Sequence, residues 1–164
     1  MIFLNNNIGH VHFNEGNYSK AIEYYEESLR ISQKKYGKED SQNVSALNNL
    51  AVVYRHKDQY QKSIEYYERC LRIIEKSEGK QSTEYANKLN NIGLVYQCQN
   101  NSEKAVSCYK QSLEIQHKIF GPNSINCATA YNNLGHAFLS NRDVFGRIDC
   151  TQAMQYFEKA LPIF

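Results

Sequence analysis

The sequence predicts an all-α solenoid built from four helical hairpins, and two observations carry that prediction. A short phrase returns every 42 residues, at positions 47–51, 89–93 and 131–135, each time with two adjacent asparagines. One period earlier, residues 5–9 carry a related phrase. Around each phrase, apolar residues recur at helical spacings of three and four. A fixed period of this size indicates stacked repeats that bury their apolar faces against their neighbours.

The composition argues against several classes of protein. The chain has 164 residues and a net charge of +2, and acidic and basic residues are interspersed. Without a Lys/Arg run, the sequence predicts neither nucleic-acid nor membrane-surface binding. It also lacks a long apolar span and the charged start of a signal peptide. The five cysteines form no C-x-x-C pair, which favours free thiols in a reducing compartment. We therefore expect a soluble, cytoplasmic protein.

Each repeat is predicted to hold a helix A and a helix B. In the second repeat, the apolar stripe of helix A contains Leu47, Leu50, Ala51 and Tyr54, and that of helix B contains Tyr60, Ser63, Ile64, Tyr67, Cys70, Leu71 and Ile74. Residues 56–59 form the polar turn between them. Glycines 37, 79 and 121 are predicted to end the B helices. Asp40 and Ser41, Ser82 and Thr83, and Asn123 and Ser124 supply N-cap candidates for the A helices that follow.

Small and aromatic positions also keep this register. Helix A repeats a small residue at Gly9, Ala51, Gly93 and Gly135, and helix B repeats one at Ala21, Ser63, Ala105 and Ala153, with an aromatic at Tyr25, Tyr67, Tyr109 and Phe157. This order resembles the tetratricopeptide repeat family. The 42-residue period, longer than the usual one of about 34, and the phrase at 47–54 are most similar to the repeats of kinesin light chains. The resemblance implies a right-handed α-superhelix whose A helices line a concave groove.

The predicted repeats span residues 1–39, 40–81, 82–123 and 124–164 of a single array. Aligning Ala153 with Ala21 requires six extra residues within 141–150. We interpret them as a surface-loop insertion, with an added contact loop bearing Phe145 and Arg147 as the alternative. Residues 161–164, Leu-Pro-Ile-Phe, end the sequence without a polar capping helix. We therefore expect a segment of a longer protein, or end-to-end self-association through this C-terminal end.

The candidate binding site is a ladder of asparagines on the A helices. By the resemblance, the groove is lined by Asn7, Asn49, Asn91 and Asn133, by their neighbours Asn48, Asn90 and Asn132, and by His10, Val52, Arg55, Leu94, Gln97 and His136. An amide side chain both donates and accepts, so it can pair with the backbone of an extended peptide. Phe13, His56 and Leu139 are further candidates for specificity. Alternatively, an asparagine can bond the neighbouring repeat; we expect one of each doublet to pack and the second to face the groove.

No chemistry beyond binding is indicated. The five histidines show no metal spacing, no nucleophile–base pair can be assembled, and no glycine loop would hold a phosphate. We therefore predict no enzyme activity, cofactor or metal. A clamp for carboxylate termini would need Lys and Arg where Asn6, Ser45, Asn87 and Asn91 stand. The sequence predicts a protein-interaction scaffold of the kinesin light chain kind with a peptide partner. The alternative is a regulatory or self-association array of a larger enzyme or nucleotide-driven signalling protein.

Overall fold

The computed structural model describes residues 1–140 and 150–163, and these residues contain no strand. Their α-helices are α1 (Ile2–Asn14), α2 (Tyr18–Tyr36), α3 (Val44–His56), α4 (Tyr60–Ser77), α5 (Thr83–Cys98), α6 (Ser102–Phe120), α7 (Ile125–Ser140) and α8 (Cys150–Ala160), with short 3-10 turns at Ser41–Asn43 and Leu161–Ile163. The predicted all-α class is confirmed. Except for Cys150, the insertion predicted at 141–150 lies outside the described residues.

The helices form two compact units, Met1–Ser77 and Glu78–Phe164, called here the N-terminal and C-terminal units. In the N-terminal unit, α1 packs on α2, α2 on α3 and α3 on α4. The C-terminal unit repeats this order from α5 to α8. Odd-numbered helices are therefore the predicted A helices and even-numbered ones the B helices. That residues 1–164 form one continuous array stays a prediction.

The apolar stripes predicted for the second repeat are buried, except that Tyr60 and Leu71 are only half-buried. In α3, Leu47 and Leu50 are completely enclosed, and in α4 Tyr67 is 1% exposed. The C-terminal unit has an equivalent core, in which Leu134 of α7 and Tyr109 of α6 are also completely enclosed. Because the same register holds in both units, the core positions follow directly from the 42-residue period.

The small residues of helix A meet the aromatic residues of helix B directly. A Cβ atom on Gly93 would lie 2.5 Å from the Tyr109 ring, and one on Gly135 would lie 2.6 Å from the Phe157 ring. Contacts this short do not occur between real Cβ atoms and their neighbours, so the backbone of helix A rests on the ring itself. The small-against-aromatic pairing read from the sequence is confirmed at these positions.

A hydrogen bond from helix B to the first turn of helix A also recurs with the repeat. Ser112 Oγ donates to the Ala86 carbonyl at 2.8 Å, and Ser28 Oγ donates to the Ile2 carbonyl at 3.0 Å. Ser28 and Ser112 are completely buried, so each hydroxyl needs a partner, and the carbonyl provides it. The sequence pattern did not show this bond, because serine at these positions reads simply as a small packing residue.

The predicted helix ends are confirmed at Gly37, Gly121 and Ser82, but the N-cap of α3 is Asn43, because Asp40 caps the short 3-10 turn that precedes α3. Gly37 and Gly121 cap α2 and α6 with φ of 100° and 78°, in the left-handed region that glycine adopts without strain. Ser82 Oγ accepts from the Tyr85 N–H at 3.2 Å at the start of α5. In the loop before α3, the buried Asn43 Nδ2 donates to the Gly37 carbonyl at 2.7 Å. This bond connects the end of one repeat to the start of the next.

Candidate functional site

Within each unit, the two A helices lie side by side. In the N-terminal unit, the ring centroid of Phe13 in α1 lies 5.1 Å from that of His56 in α3. In the C-terminal unit, Asn133 Nδ2 of α7 donates to Asn90 Oδ1 of α5 at 3.0 Å. In each unit, a side chain of one A helix therefore contacts the other A helix, and we call the face that carries these contacts and the predicted ladder the helix A surface.

The asparagine doublets lie at the margin between core and solvent. Asn7 is exposed, whereas the other predicted ladder asparagines are half-buried: Asn48, Asn49, Asn90, Asn91, Asn132 and Asn133. Asn133 uses its donor on Asn90, so this pair joins two neighbouring repeats. That hydrogen bond does not involve the acceptor of Asn133, Oδ1, or the donor of Asn90, Nδ2. Which asparagines contact a ligand stays a prediction.

In the first and second repeats, the first asparagine of the doublet turns its oxygen inward. Asn6 Oδ1 and Asn48 Oδ1 are buried without a hydrogen-bond partner among the described residues. The separation in sequence between Asn6 and Asn49 is the same as that between Asn90 and Asn133. A buried acceptor of this kind is costly unless a donor or a water reaches it. The inward oxygens therefore mark places where an amide donor is needed.

The C-terminal ends of α1 and α3 bring together rings and one cation. His10 is exposed and stacks on Phe13 with 6.4 Å between ring centroids. Tyr18 also lies against this group, 5.9 Å from His56. Arg55 Nη2 donates to His56 Nε2 at 3.2 Å, a bond that requires the imidazole nitrogen to be unprotonated. Desolvation, and then the positive charge of Arg55, lower the pKa of His56.

This arrangement predicts that acidification destabilises the fold through His56. Because its pKa is lower in the folded than in the unfolded chain, the unfolded chain binds the proton more tightly. At pH 7.5, above both pKa values, the full stability is present. Stability is lost as the pH falls through the ordinary histidine pKa of about 6.5 and continues to fall down to the lowered one. The melting temperature should drop less between pH 7.5 and 5.5 in His56→Asn than in the unsubstituted protein. Equal drops would contradict the assignment, and His10→Asn, at an exposed position, is the control.

Several other predicted residues contact the hairpin core. Gln97 Oε1 accepts from the Tyr109 hydroxyl at 2.9 Å, and Leu94 packs against the core of the C-terminal unit. His136 is exposed, with its ring 5.2 Å from that of Phe157. Val52 is half-buried on α3. Exposed His10, His136 and Asn7 are therefore the most accessible of the predicted residues, while Gln97 is already hydrogen-bonded.

A series of stacked ring pairs was missed by the sequence interpretation. Tyr54 and Tyr66 stack with centroids 5.4 Å apart and planes within 7°. The corresponding pairs are His12 with Tyr24, at 5.5 Å, and Phe138 with Tyr156, also at 5.5 Å. The sequence pattern indicates packing positions for the tyrosines of helix B, but it does not identify the rings on which they stack. The signal was available, since rings recur at positions 12, 54, 96 and 138 of the A helices.

The third repeat has Cys108 where the other repeats have the second ring. Burial raises the pKa of the Cys108 thiol to about 11. At neutral pH the sulfur is protonated, and a protonated thiol is a poor nucleophile and metal ligand. Residues 1–140 and 150–163 contain no group of three or more His, Cys, Asp and Glu side chains arranged to hold a metal ion. None of the described helices combines the length and the apolar character needed to cross a membrane.

Comparison with known proteins identifies the family. A model of the tetratricopeptide repeat matches residues 1–76, 42–116 and 84–164, which together cover the sequence. The chain belongs to the tetratricopeptide repeat family. No curated protein matches the sequence.

Solved structures share the fold of this tetratricopeptide protein. BtubC (BKLC) from P. vanneervenii has a TM-score of 0.85 and 23% identity, covering 99% of this chain and 62% of that one. The nearly identical TPR-like repeats of a kinesin light chain candidate from Podosopora anserina have a TM-score of 0.80 and 18% identity, with 99% and 74% coverage. MamA has a TM-score of 0.67 and 22% identity, with 99% and 77% coverage. The predicted resemblance to kinesin light chain repeats is thereby confirmed at the level of the fold.

The chain covers only part of the length of these proteins, and its share of BtubC is 62%. The identities of 18–23% establish the fold and not the activity of any one of them. Membership of the tetratricopeptide family supports a role as a protein–protein interaction scaffold, and such repeat proteins are generally not enzymes.

Proposed function

We propose that this protein is an interaction adaptor that holds an extended peptide of a partner protein on its helix A surface, in the manner of kinesin light chain repeats. The observation that carries the proposal is the asparagine contact between neighbouring A helices, Asn133 to Asn90 at 3.0 Å. In the third and fourth repeats, the two doublets therefore come within hydrogen-bond distance of each other. A peptide lying across the A helices would meet amide groups at each step.

The chemistry of the amide suits backbone capture. Asparagine can accept from a peptide N–H and donate to a peptide C=O, irrespective of the ligand sequence. Each such bond contributes on the order of 1 kcal/mol net, so several doublets are needed for firm binding. Half-burial of Asn49 and Asn91 favours this role, because their amides are held in place while part of each remains accessible.

Selectivity would come from the residues between the doublets. The exposed His10 and His136 and the half-buried Val52 offer aromatic and apolar contacts with little net charge. Arg55 adds one cation, partly engaged by His56. A ligand with alternating apolar and polar side chains would fit this surface better than a strongly charged one. The free thiols of Cys70, Cys98 and Cys127 support a reducing compartment such as the cytoplasm.

A peptide-display selection tests the proposal. We expect enriched peptides to bind the unsubstituted protein and to lose at least about tenfold in affinity in Asn49→Ala/Asn91→Ala, as two lost hydrogen bonds would predict. Asn17→Ala/Asn123→Ala is the matched control. Both control residues are exposed, and Asn17 makes no side-chain cap bond. Circular dichroism checks folding. Peptides that bind all three proteins equally would contradict a role for the asparagines in binding.

A further inference from the structure

Two adjoining cavities on the N-terminal unit form a second candidate binding surface, away from the predicted ladder. The larger has a volume of about 290 Å³ and is lined by Tyr54, Lys62, Glu65, Tyr66 and Arg69. The smaller has a volume of about 170 Å³ and is lined by Lys38, Glu39, Arg69, Arg72 and Ile73. Arg69 lines both, so the two cavities adjoin each other along one side of α4. We call them together the α4 pocket.

The α4 pocket has an excess of positive charge. Its lining has four cationic side chains, Lys38, Lys62, Arg69 and Arg72, against the two carboxylates Glu39 and Glu65. The whole chain, by comparison, has a net charge of only +2. The four cations therefore concentrate positive charge in one concave place, where low-dielectric walls strengthen its attraction for anions.

Two of the cations are held in place by the stacked tyrosines. Lys62 Nζ lies 5.1 Å from the Tyr54 ring centroid, and the Arg69 guanidinium carbon lies 5.5 Å from that of Tyr66. Cation–π contact restrains a long side chain without using its N–H donors. A guanidinium restrained in this way can still present two parallel donors to a carboxylate. The tyrosine pair therefore preorganises Arg69 and Lys62 for an anionic ligand.

The rings themselves stay neutral. Burial first, and then neighbouring groups that include Glu26 of α2, raise the pKa of the Tyr54 and Tyr66 hydroxyls. The tyrosines consequently add no negative charge that would oppose an acidic ligand. They offer instead an apolar floor, against which the methylene groups of a peptide side chain can pack.

A carboxylate of the chain already occupies one edge of this surface. Glu39 forms an ion pair with Lys76 of α4. The hydrogen bond and charge of Lys76, with a smaller contribution from Arg72, lower the pKa of Glu39. The α4 face thus stabilises an ionised carboxylate at its rim. Arg69 and Arg72, which line the same cavity, provide donors for additional carboxylates.

From this geometry we infer that the α4 pocket binds an acidic peptide segment of a protein partner, with its Asp or Glu carboxylates on Arg69, Arg72 and Lys38. This surface combines helix B, the loop before α3 and Tyr54 of α3, and it includes none of the ladder residues. The inference therefore goes beyond the proposed ladder and does not depend on it. Charge complementarity and the size of the cavity identify the ligand class. The segment would need two or more carboxylates to engage both cavities.

Fluorescence anisotropy with a labelled peptide of alternating glutamate and serine tests the inference. We expect Arg69→Gln/Arg72→Gln to weaken binding by about tenfold or more, since charge-assisted hydrogen bonds are lost. Lys38→Gln, in a loop outside the helices, should weaken binding less, and it serves as a second variant if the double variant folds poorly. Lys118→Gln, at the position of Lys76 in the third repeat, is the matched charge control and should bind as the unsubstituted protein does.

Other arms of the experiment separate the alternatives. Binding should weaken as salt is raised and vanish when glutamine replaces glutamate in the peptide. The Asn49→Ala/Asn91→Ala variant should bind the acidic peptide normally. The inference is overturned if both pocket variants bind as tightly as the unsubstituted protein, or if only the asparagine variant loses binding. Binding of a phosphoserine peptide but not of the glutamate peptide would also overturn it, because the site would then select phosphate.

Discussion

Replacing Gly93 with valine is expected to lower the free energy of unfolding by about 2–3 kcal/mol, the upper part of the range for overpacked cores. Even a single Cβ atom at this position would lie 2.5 Å from the Tyr109 ring. That ring is completely buried, and its hydroxyl donates to Gln97, so it has little freedom to move away. Urea denaturation followed by circular dichroism measures the change.

Two control variants separate crowding from helix propensity. Ser45→Val places the same β-branched residue at an exposed position of α3 and should cost well under 1 kcal/mol. Gly93→Ala should be milder than Gly93→Val, because the second repeat already has an alanine, Ala51, at this position beside Tyr67. If Gly93→Val were as stable as Ser45→Val, the direct packing of α5 on the Tyr109 ring would be contradicted.

Truncating Leu50 to alanine is expected to cost about 2–5 kcal/mol, the usual range for a fully buried leucine. Leu50 is completely enclosed in α3 at the centre of the N-terminal unit, so removing its methyl groups leaves a cavity that the neighbouring helices cannot fill. The loss should appear as a lower urea midpoint with an unchanged dependence on denaturant.

Leu4→Ala is the matched control for this truncation. Leu4 lies in α1 of the same unit and is 60% exposed, so the same change removes little buried area and should alter the unfolding free energy by about 0.5 kcal/mol or less. The contrast tests the assignment of inner and outer helix faces. Comparable losses for Leu4→Ala and Leu50→Ala would contradict it.

The fold was largely predictable because its determinants are local and repeated. The spacing that places Leu47, Leu50 and Tyr54 on one helix face is set within a few turns of a single helix, and it recurs in each repeat. Helix ends were equally accessible, since Gly37 and Ser82 act through the backbone next to them. Because the same pattern recurs in each repeat, signals that are weak within one helix together give a strong prediction of the fold.

The candidate sites were less predictable because they depend on how side chains meet across helices. Asn90 and Asn133 belong to different repeats, and no local pattern states which amide donates to which. The α4 pocket combines residues of a loop, α3 and α4, among them Lys38, Tyr54 and Arg69. In the sequence these residues look like ordinary solvent-facing charges and packing aromatics. Only their placement in space shows a shared cavity with excess positive charge.

The central claim, that asparagines of the helix A surface hold a partner peptide, is tested most directly by the side-chain amide resonances of the asparagines. A peptide from the display selection is titrated into isotopically labelled protein, and the resonances are assigned with single Asn→Ala variants. The account predicts that the amide signals of Asn49, Asn91 and Asn133 shift in proportion to occupancy, because hydrogen bonds to the peptide form at these groups. If these signals stay in place while residues of the B helices shift, the claim is contradicted, and the ladder serves only to join neighbouring repeats.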